Sequence, residues 1–310
     1  MKKIKIIDVS TLLPGPFASF LLKKHIDCEI IKFENMSQPD PLINMRPTKD
    51  GVGLGYLAIN QKKQIVKVDF RKDGLDKIKQ ESKNADIFIE NFKTGRAFKL
   101  GIGYKDLIKI SPKLIYCSIS GFGSKSILAK KSAHDLNILA LSGYLDQQYK
   151  LENINVLPPL LLADLFSAYH TALVLLTTII KDQTPTHIQI SMYDAFLESL
   201  TINNYPQIIL HKDFSPSDFI MSGKLPCYGV YETKDRKKVA VASIERPLWI
   251  DFCFHIARED LVDKQFESET VAEISNEMKK YDRDYWLSDD FDFCVTPVLS
   301  INEAFEKKYV

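Results

Sequence analysis

The sequence predicts an α/β fold: a large domain with a mostly parallel sheet, followed by a small α+β domain. Short runs rich in β-branched residues alternate with amphipathic helical stretches over the first two thirds of the chain. The strand runs are apolar throughout, which is typical of parallel strands covered by helices on both faces. With 310 residues, the chain is also too long for one minimal domain.

The elements of the large domain follow one another in β-α order. Strands are expected at residues 4–9, 28–33, 65–70, 86–90, 114–118 and 187–190. Helices are expected at residues 17–24, 74–83, 104–110, 164–180 and 193–204. Ligands of such sheets bind beyond the carboxyl ends of the strands, so the loops at that edge are the place to look for a site.

The small domain is predicted from a change of pattern after a proline-containing stretch. Residues 228–233 and 238–243 form a hairpin that turns at Lys234, Asp235 and Arg236, and a helix around Trp249 and a charged helix follow. The predicted boundaries are a large domain at 1–204, a linker at 205–222, a small domain at 223–290 and a C-terminal extended segment at 291–310.

Composition excludes several function classes. A formal net charge of +1 gives no basic field for nucleic acid. The five cysteines have no CxxC spacing, so we expect no metal site and no disulfide framework, and reduced thiols indicate the cytoplasm. The most apolar segment, residues 168–180, is shorter than a membrane span, so no membrane partner is expected.

Two loops at the predicted binding edge carry candidate ligand contacts. The turn after the first strand lacks GxGxxG, and Pro16 removes a backbone donor there, which disfavours a dinucleotide. Residues 93–99, after the fourth strand, contain Lys93, Arg96 and Lys99, which could hold an anionic ligand. Each of these cations also fits an ordinary solvated surface.

His134 and Asp164 are the strongest candidates for chemistry, because each begins a predicted helix at that edge. A histidine in this position is often structural, and an aspartate there also serves as a helix N-cap. The helix dipole is expected to keep Asp164 ionised. Two unlike bases that face one carbon can remove a proton from one side and return one to the other, which is the chemistry of a racemase.

Several segments spread over nearly the whole chain resemble one known family. They are Pro14-Gly15-Pro16, residues 29–34, residues 86–92, residues 100–104, residues 114–123, residues 191–195 and residues 296–299. On these segments the chain is identified as a member of the class III CoA-transferase family, and it is most similar to the α-methylacyl-CoA racemase branch.

The resemblance implies a Rossmann-like large domain, an interlocked homodimer and a site for an acyl-CoA, with coenzyme A as part of the substrate and no separate cofactor. His134, followed by Asp135 and Asn137, matches the racemase histidine segment, whereas transferases carry an aromatic residue at that position. Asp164 matches the aspartate of both branches, and Glu245 matches a glutamate that approaches the histidine from the partner subunit.

The resemblance also implies contacts to coenzyme A. Lys63, Lys93 and Lys99 remain basic near the expected phosphate positions, and Asn137 belongs to the matched ligand-binding segment. The chain departs from the family at residues 165–168, which replace glycines after the aspartate, and in an early C-terminus.

Three functions are therefore open. The first is a racemase of 2-methyl-branched acyl-CoA thioesters in fatty acid metabolism, with proton transfer between His134 and Asp164. The second is a CoA-transferase in which Asp164 is the covalent nucleophile. The third is a non-catalytic homologue that binds acyl-CoA.

Overall fold

The structure is a computed structural model that describes residues 3–152, 157–210, 215, 217, 219–287 and 292–306. The chain divides into two units, one of Met1–Asp146 with Val156–Tyr205 and one of Gln147–Asn155 with Pro206–Val310. The strands of the first unit are β1 (Ile4–Asp8), β2 (Cys28–Asn35), β3 (Thr48–Lys49), β4 (Val52–Gly53), β5 (Gln64–Val68), β6 (Ile87–Glu90), β7 (Ile115–Ser120) and β8 (Thr186–Ser191). The helices up to the second unit are α1 (Pro14–His25), α2 (Leu54–Asn60), α3 (Gly74–Ser82), α4 (Arg96–Lys99), α5 (Tyr104–Leu107), α6 (Asp135–Leu141), α7 (Tyr144–Glu152), α8 (Leu162–Ile180), α9 (Met192–Ser199) and α10 (Thr201–Leu210).

Six parallel strands form one sheet in the order β5-β2-β1-β6-β7-β8, which confirms the predicted α/β class. The chain starts at the centre and builds outward first to one side and then to the other. The order therefore reverses between β1 and β6, and this reversal opens a crevice at their carboxyl ends. The short strands β3 and β4 form a separate antiparallel pair.

Both faces of the sheet are covered because its strands are apolar on both sides. One face packs under α1 and α8, and its core includes Leu22, Ile89 and Leu175, all buried. The other face packs under α3 and α5, around Phe88 and Tyr116, whose rings stack 5.1 Å apart. The carboxyl edge is left free for ligands.

The turn from β1 into α1 is held tightly, and it borders that edge. Pro14 and Pro16 lie in the first turn of α1, where a missing N–H costs nothing. Gly15 is required because a Cβ atom there would lie 2.2 Å from Ser10 Oγ. Leu12 adopts the left-handed conformation at φ 62°, which a branched side chain rarely takes.

A buried cluster of four charges, Asp8, Lys32, Asp40 and Lys63, holds this turn in place. Lys63 Nζ lies 3.2 Å from Asp8 Oδ2 and donates to the carbonyl of Pro16 at 2.8 Å. Lys32 Nζ donates to Ser10 O at 2.6 Å, and Asp40 accepts the N–H of the strained Leu12. The cluster therefore holds the backbone of the turn through hydrogen bonds from buried side chains.

Helix α8, with 19 residues, is long and apolar enough to cross a membrane by length and composition alone. The expectation that this segment is too short to span a membrane is therefore wrong, because the apolar helix begins before residue 168. In this unit α8 packs against α1, α6 and α9, and residues such as Ala163, Ala168 and Leu175 are buried. Of its most apolar 18-residue window 39% is buried, while Tyr169, Leu173 and Ile180 are exposed.

The second unit contains a three-stranded antiparallel sheet in the order β11-β10-β9. Its strands are β9 (Tyr228–Glu232), β10 (Lys238–Ala242) and β11 (Val295–Pro297), and its helices are α11 (Arg246–His255), α12 (Val271–Met278) and α13 (Ile301–Phe305). The predicted hairpin, the helix around Trp249 and the last extended segment are all present. Trp249 is fully buried and contacts Phe252, with the rings 5.6 Å apart, at the centre of a separate core.

Two predicted elements differ from the structure: the helix at 193–204 and the irregular linker at 205–222. The helix is interrupted at Leu200, and α10 then continues through Pro206 to Leu210. Proline suggested a break, but inside a helix it removes only one hydrogen bond, and the neighbouring turns continue on either side. Part of the expected linker is therefore helical, while residues 211–214, 216 and 218 lie outside the described residues.

Candidate active site

A cavity of about 260 Å³ lies in the first unit at the carboxyl edge of the sheet, where the strand order reverses. Its walls come from the loops after β1, β6 and β7 and from the beginnings of α6 and α8. The position is the one expected for a ligand of a parallel α/β sheet. His134 and Asp164, thirty residues apart in sequence, both line it.

His134 is exposed and directly precedes α6, with an extended backbone at φ −123° and ψ 170°. The backbone N–H of His134 donates to Asn137 Oδ1 at 3.0 Å. This bond fixes the start of α6. Asn137, which was expected to contact coenzyme A, therefore uses its side-chain oxygen to hold the histidine's backbone, and it is not among the cavity's lining residues that the structure describes.

Asp164 lies in the first turn of α8 and is partly buried. Burial, together with the negative charge of Asp135, raises the pKa of Asp164 to about 7. The expectation that the helix dipole keeps this carboxyl fully ionised is therefore wrong, since desolvation of the charged form is the larger effect. Near neutral pH the group is present in both protonated and ionised forms.

Asp135 is the functional residue that sequence reasoning missed. Its side chain is buried, and its Oδ1 accepts the backbone N–H of Asp164 at 3.1 Å. One side chain thus holds the first turn of α8 and also places a negative charge beside Asp164. The available signal was a second carboxylate next to His134, but sequence does not show that it reaches a helix twenty-nine residues further on.

The charge of Asp135 gives a prediction about pH dependence. Asp135→Asn keeps an oxygen that accepts the Asp164 N–H but removes the negative charge, so the ionised form of Asp164 becomes less unfavourable. We expect the pKa of Asp164 to fall below about 7. Carboxyl-carbon NMR titration of wild type and variant measures it. Asp27→Asn, at the exposed start of β2, is the matched control and should leave the titration unchanged; an unchanged value in Asp135→Asn would contradict the prediction.

The predicted basic residues have different environments. Lys93 lines the cavity, and so does Lys131, which was not predicted from the sequence. Lys99 is exposed at the end of α4 and is not part of the described lining. Lys63 is buried in the ion pair with Asp8, so its ammonium holds the β1–α1 turn and does not face the cavity.

Glu245 lies in the second unit, where it directly precedes α11. Its predicted approach to His134 from a partner subunit stays a prediction. In the residues that the structure describes, no group of three or more His, Cys, Asp or Glu side chains has an arrangement that could hold a metal ion. The cavity of the first unit thus offers one imidazole, one carboxyl of raised pKa and two ammonium groups.

Comparison with known proteins adds a second line of evidence. The model of CoA-transferase family III matches residues 1–310. The α-methylacyl-CoA racemase of Mus musculus is 26% identical over 326 residues, covering 100% of this chain and 80% of the relative. The succinyl-CoA:glutarate CoA-transferase of Homo sapiens is 32% identical over 145 residues, covering 46% of this chain and 33% of the relative. A crystal structure of a CaiB/BaiF family protein from Brucella suis has a TM-score of 0.85 at 20% identity and covers 98% of this chain and 85% of its own, so the two share a fold.

Proposed function

The chain belongs to CoA-transferase family III, and from that premise we propose that it is an acyl-CoA racemase that acts on 2-methyl-branched thioesters. The observation that carries the proposal is the presence of His134 and Asp164 in the walls of one cavity. By the family resemblance, a transferase needs the aspartate but carries an aromatic residue at the position of His134. A racemase needs two groups, one for each face of the reacting carbon.

The reaction moves one proton off and one proton on. A thioester makes its α-proton more acidic. One of the two residues removes that proton, and an enolate forms. The other residue then donates a proton to the opposite face, which inverts the configuration. Each group must act as base for one enantiomer and as acid for the other. A pKa near 7 for Asp164 suits that double role, because proton transfer is most efficient when the pKa is close to the working pH.

The direct test is proton NMR of a 2-methylacyl-CoA in heavy water with the purified protein and no acceptor acid. We expect deuterium to replace the α-proton of either enantiomer and the two enantiomers to interconvert. Release of free coenzyme A should not accompany the exchange. Loss of the thioester without α-exchange, or no reaction at all with any branched acyl-CoA, would contradict the racemase proposal.

Coenzyme A transfer is the second candidate, and the similarity to the glutarate transferase favours it. In that reaction ionised Asp164 would attack the thioester carbonyl, form a mixed anhydride and release the coenzyme A thiolate. The thiolate would then attack the aspartyl carbonyl of the anhydride, which gives an aspartyl-CoA thioester and releases the acyl group as a carboxylate. A pKa of about 7 leaves less of the nucleophilic carboxylate at neutral pH than an ordinary aspartate does. Acceptor-dependent appearance of a new acyl-CoA, with no deuterium at the α-carbon, would identify a transferase. Binding of acyl-CoA with neither reaction would identify a non-catalytic homologue.

The position of Lys93 leads to a prediction about the phosphates of coenzyme A. We expect Lys93→Ala to weaken binding of free coenzyme A and of its thioesters alike, by about three- to tenfold, since a bond from an ammonium to phosphate is charge-assisted. Lys99→Ala should have a smaller effect because its ammonium lies outside the cavity. Calorimetric titration at two salt concentrations measures both. Lys113→Ala, exposed just before β7, is the control; equal losses in all three variants would contradict a site at Lys93.

The remaining expectations are also kept as proposals. A homodimer, support of His134 by Glu245 of the partner subunit and a cytoplasmic location with no bound cofactor all follow from the family resemblance and composition. Activity that depends on protein concentration, together with dimers in sedimentation, would support the cross-subunit role of Glu245. Full activity in a stable monomer would contradict it.

A further inference from the structure

A second cavity, of about 210 Å³, lies beside the first. It lies along the face of β7 and β8 that carries Tyr116, Ser118, His187 and Gln189, next to the end of β6, and is bordered by α4 and the start of α5. The two cavities share Phe92, Thr94, Ile119 and Ser120, so the loop after β6 and the end of β7 form the wall between them. The proposed thioester chemistry makes no use of the second cavity.

Glu90 is the unusual feature of this cavity. It ends β6, lines the cavity and is only 6% exposed. Its Oε2 accepts the backbone N–H of Phe92 at 2.7 Å. Its Oε1 accepts a long hydrogen bond, of 3.5 Å, from the hydroxyl of Tyr116, and that hydroxyl also lies 3.2 Å from the carbonyl of Ile102. One carboxylate oxygen is thus left without a strong donor.

No cation compensates this carboxylate in the part of the chain that the structure describes. The described lining of the cavity contains neither lysine nor arginine, and Glu90 forms no ion pair with a described residue. Lys93, the nearest basic residue in sequence, lines the first cavity and not this one. Arg96 lies over the ring of Phe92 and donates to Gln38 at 2.6 Å. A buried carboxyl without a counter-ion is costly, and a bound cation is one way to remove that cost.

Aromatic rings supply the rest of the cavity wall. Phe92, Phe98, Tyr104 and Tyr116 line it. The ring of His187 stacks on Tyr104 at 4.9 Å and meets Tyr116 edge-on at 5.1 Å, so these side chains form a rigid wall. Electron-rich ring faces next to a carboxylate are the surroundings that bind organic cations. Inorganic metal ions, by contrast, take several oxygen or nitrogen ligands.

We propose that the second cavity binds a small organic ammonium ion, with Glu90 as its counter-ion and the aromatic side chains as its walls. Ser118 and Gln189 also line the cavity. Their side-chain oxygens are bonded to His187 and Ser124, and each has a further lone pair that can accept an N–H of a primary ammonium. The site is distinct from the thioester cavity and does not depend on the proposed reaction. A ligand there contacts the Phe92–Thr94 wall, which the two cavities share.

The proposal is tested with n-butylammonium and with butan-1-ol, a neutral molecule of similar length, on the full chain labelled with ¹⁵N. The amide of Phe92 is the reporter because its N–H donates to Glu90. At pH 8 we expect n-butylammonium to bind at least about tenfold more tightly than butan-1-ol, since the charge adds both an ion pair and contacts with ring faces. Equal affinities, or shifts confined to residues outside the second cavity, would overturn the proposal.

Variants separate the charge from the cavity's shape. Glu90→Gln keeps the size and the acceptor for Phe92, so it should abolish the preference for n-butylammonium and leave the affinity for butan-1-ol unchanged. Tyr104→Leu removes one aromatic wall and should weaken ammonium binding about three- to tenfold. A preference for ammonium that persists in Glu90→Gln would overturn the assignment of Glu90. Coenzyme A binding in both variants should equal that of wild type, which separates this result from any failure of the racemase proposal.

A measurement on the wild-type protein keeps the proposal testable if Glu90→Gln does not fold. Burial raises the pKa of Glu90 to about 7, so the carboxyl becomes charged between pH 6 and pH 8. The affinity for n-butylammonium should therefore rise over this interval while that for butan-1-ol stays constant. The titratable and charged groups near Glu90 are Tyr116 and Cys117 on β7, Tyr104 on α5, His187 on β8 and Lys93 on the loop after β6, with Asp106 acting on Tyr116 and Arg96 lying over Phe92.

His187 is the neighbour whose titration needs a control. Burial lowers its pKa, which favours the neutral imidazole. His187→Asn should therefore retain the rise of ammonium affinity with pH. A pH-independent affinity in wild type, or a rise that disappears in His187→Asn, would overturn the proposal.

Discussion

Replacing His134 with Ala or Asp164 with Asn should lower α-proton exchange of a 2-methylacyl-CoA by about 10²–10⁴-fold, the usual contribution of a general acid or base. Both side chains line the cavity of the first unit, and each is assigned one face of the reacting carbon. Each variant also lacks the base that removes the α-proton of one of the two enantiomers. With a single remaining base, one enantiomer still exchanges its proton slowly, whereas inversion needs both groups and should stop. The measurement is deuterium incorporation into the separate enantiomers, followed by proton NMR.

Two controls show whether the loss is chemical. Coenzyme A affinity of His134→Ala and Asp164→Asn should stay within about threefold of wild type, since neither residue is placed at a phosphate. His170→Ala, which removes a histidine paired with Glu198 on the surface of α8, should retain full exchange. Exchange at the wild-type rate in both His134→Ala and Asp164→Asn would exclude this pair as the catalytic groups.

The second large effect concerns stability. Lys63→Met leaves Asp8 buried without its nearest cation and frees the carbonyl of Pro16 from its donor. Burial alone would raise the pKa of Asp8, but the charges of Lys63 and Lys32 hold it well below its usual range. We expect the free energy of unfolding at pH 7 to fall by about 3–5 kcal/mol, because removal of one partner exposes the desolvation cost of the other. Urea unfolding monitored by circular dichroism measures the loss.

The pair of variants Lys62→Met and Lys63→Met makes this test specific. Lys62 is the exposed neighbour of Lys63, and its replacement should change the stability by less than about 0.5 kcal/mol. The contribution of Asp8 also has a sign in pH. Its folded pKa lies below its unfolded value, so its stabilisation is complete above the unfolded pKa and is lost as the pH falls through the folded one. Equal stability of the two lysine variants at pH 7 would contradict the prediction that the Lys63–Asp8 pair stabilises the fold.

The elements that could be predicted from the sequence are those with a strong local pattern. The six strands of the parallel sheet, the helix that begins near Asp164 and the hairpin of the second unit have continuous or periodic apolar runs, and such runs reflect burial directly. Pro206 misled the prediction because its local effect favours a break, whereas the surrounding helix tolerates one missing bond. His134 and Asp164 could be chosen because both polar residues lie at expected helix starts on the binding edge.

The roles of the other polar residues could not be predicted, because they depend on partners distant in sequence. Lys63 is basic near the expected phosphate positions, yet its charge is used by Asp8, fifty-five residues away. Asp135 was only a neighbour of His134 until the fold placed it against the N-terminus of α8. Glu90 lies at the end of an apolar strand, and nothing in the neighbouring sequence indicates the aromatic cavity around it.

By itself, the sequence determined the class of fold, and it led to His134 and Asp164, which line one cavity at the carboxyl edge of the sheet. These depend on patterns within one segment, where the spacing of apolar residues and the residue at a helix start carry the information. Only the tertiary structure decided which charges meet, which are buried and which face a cavity. A pKa such as that of Asp164 follows from desolvation and from a carboxylate twenty-nine residues away, and both exist only once the chain has folded.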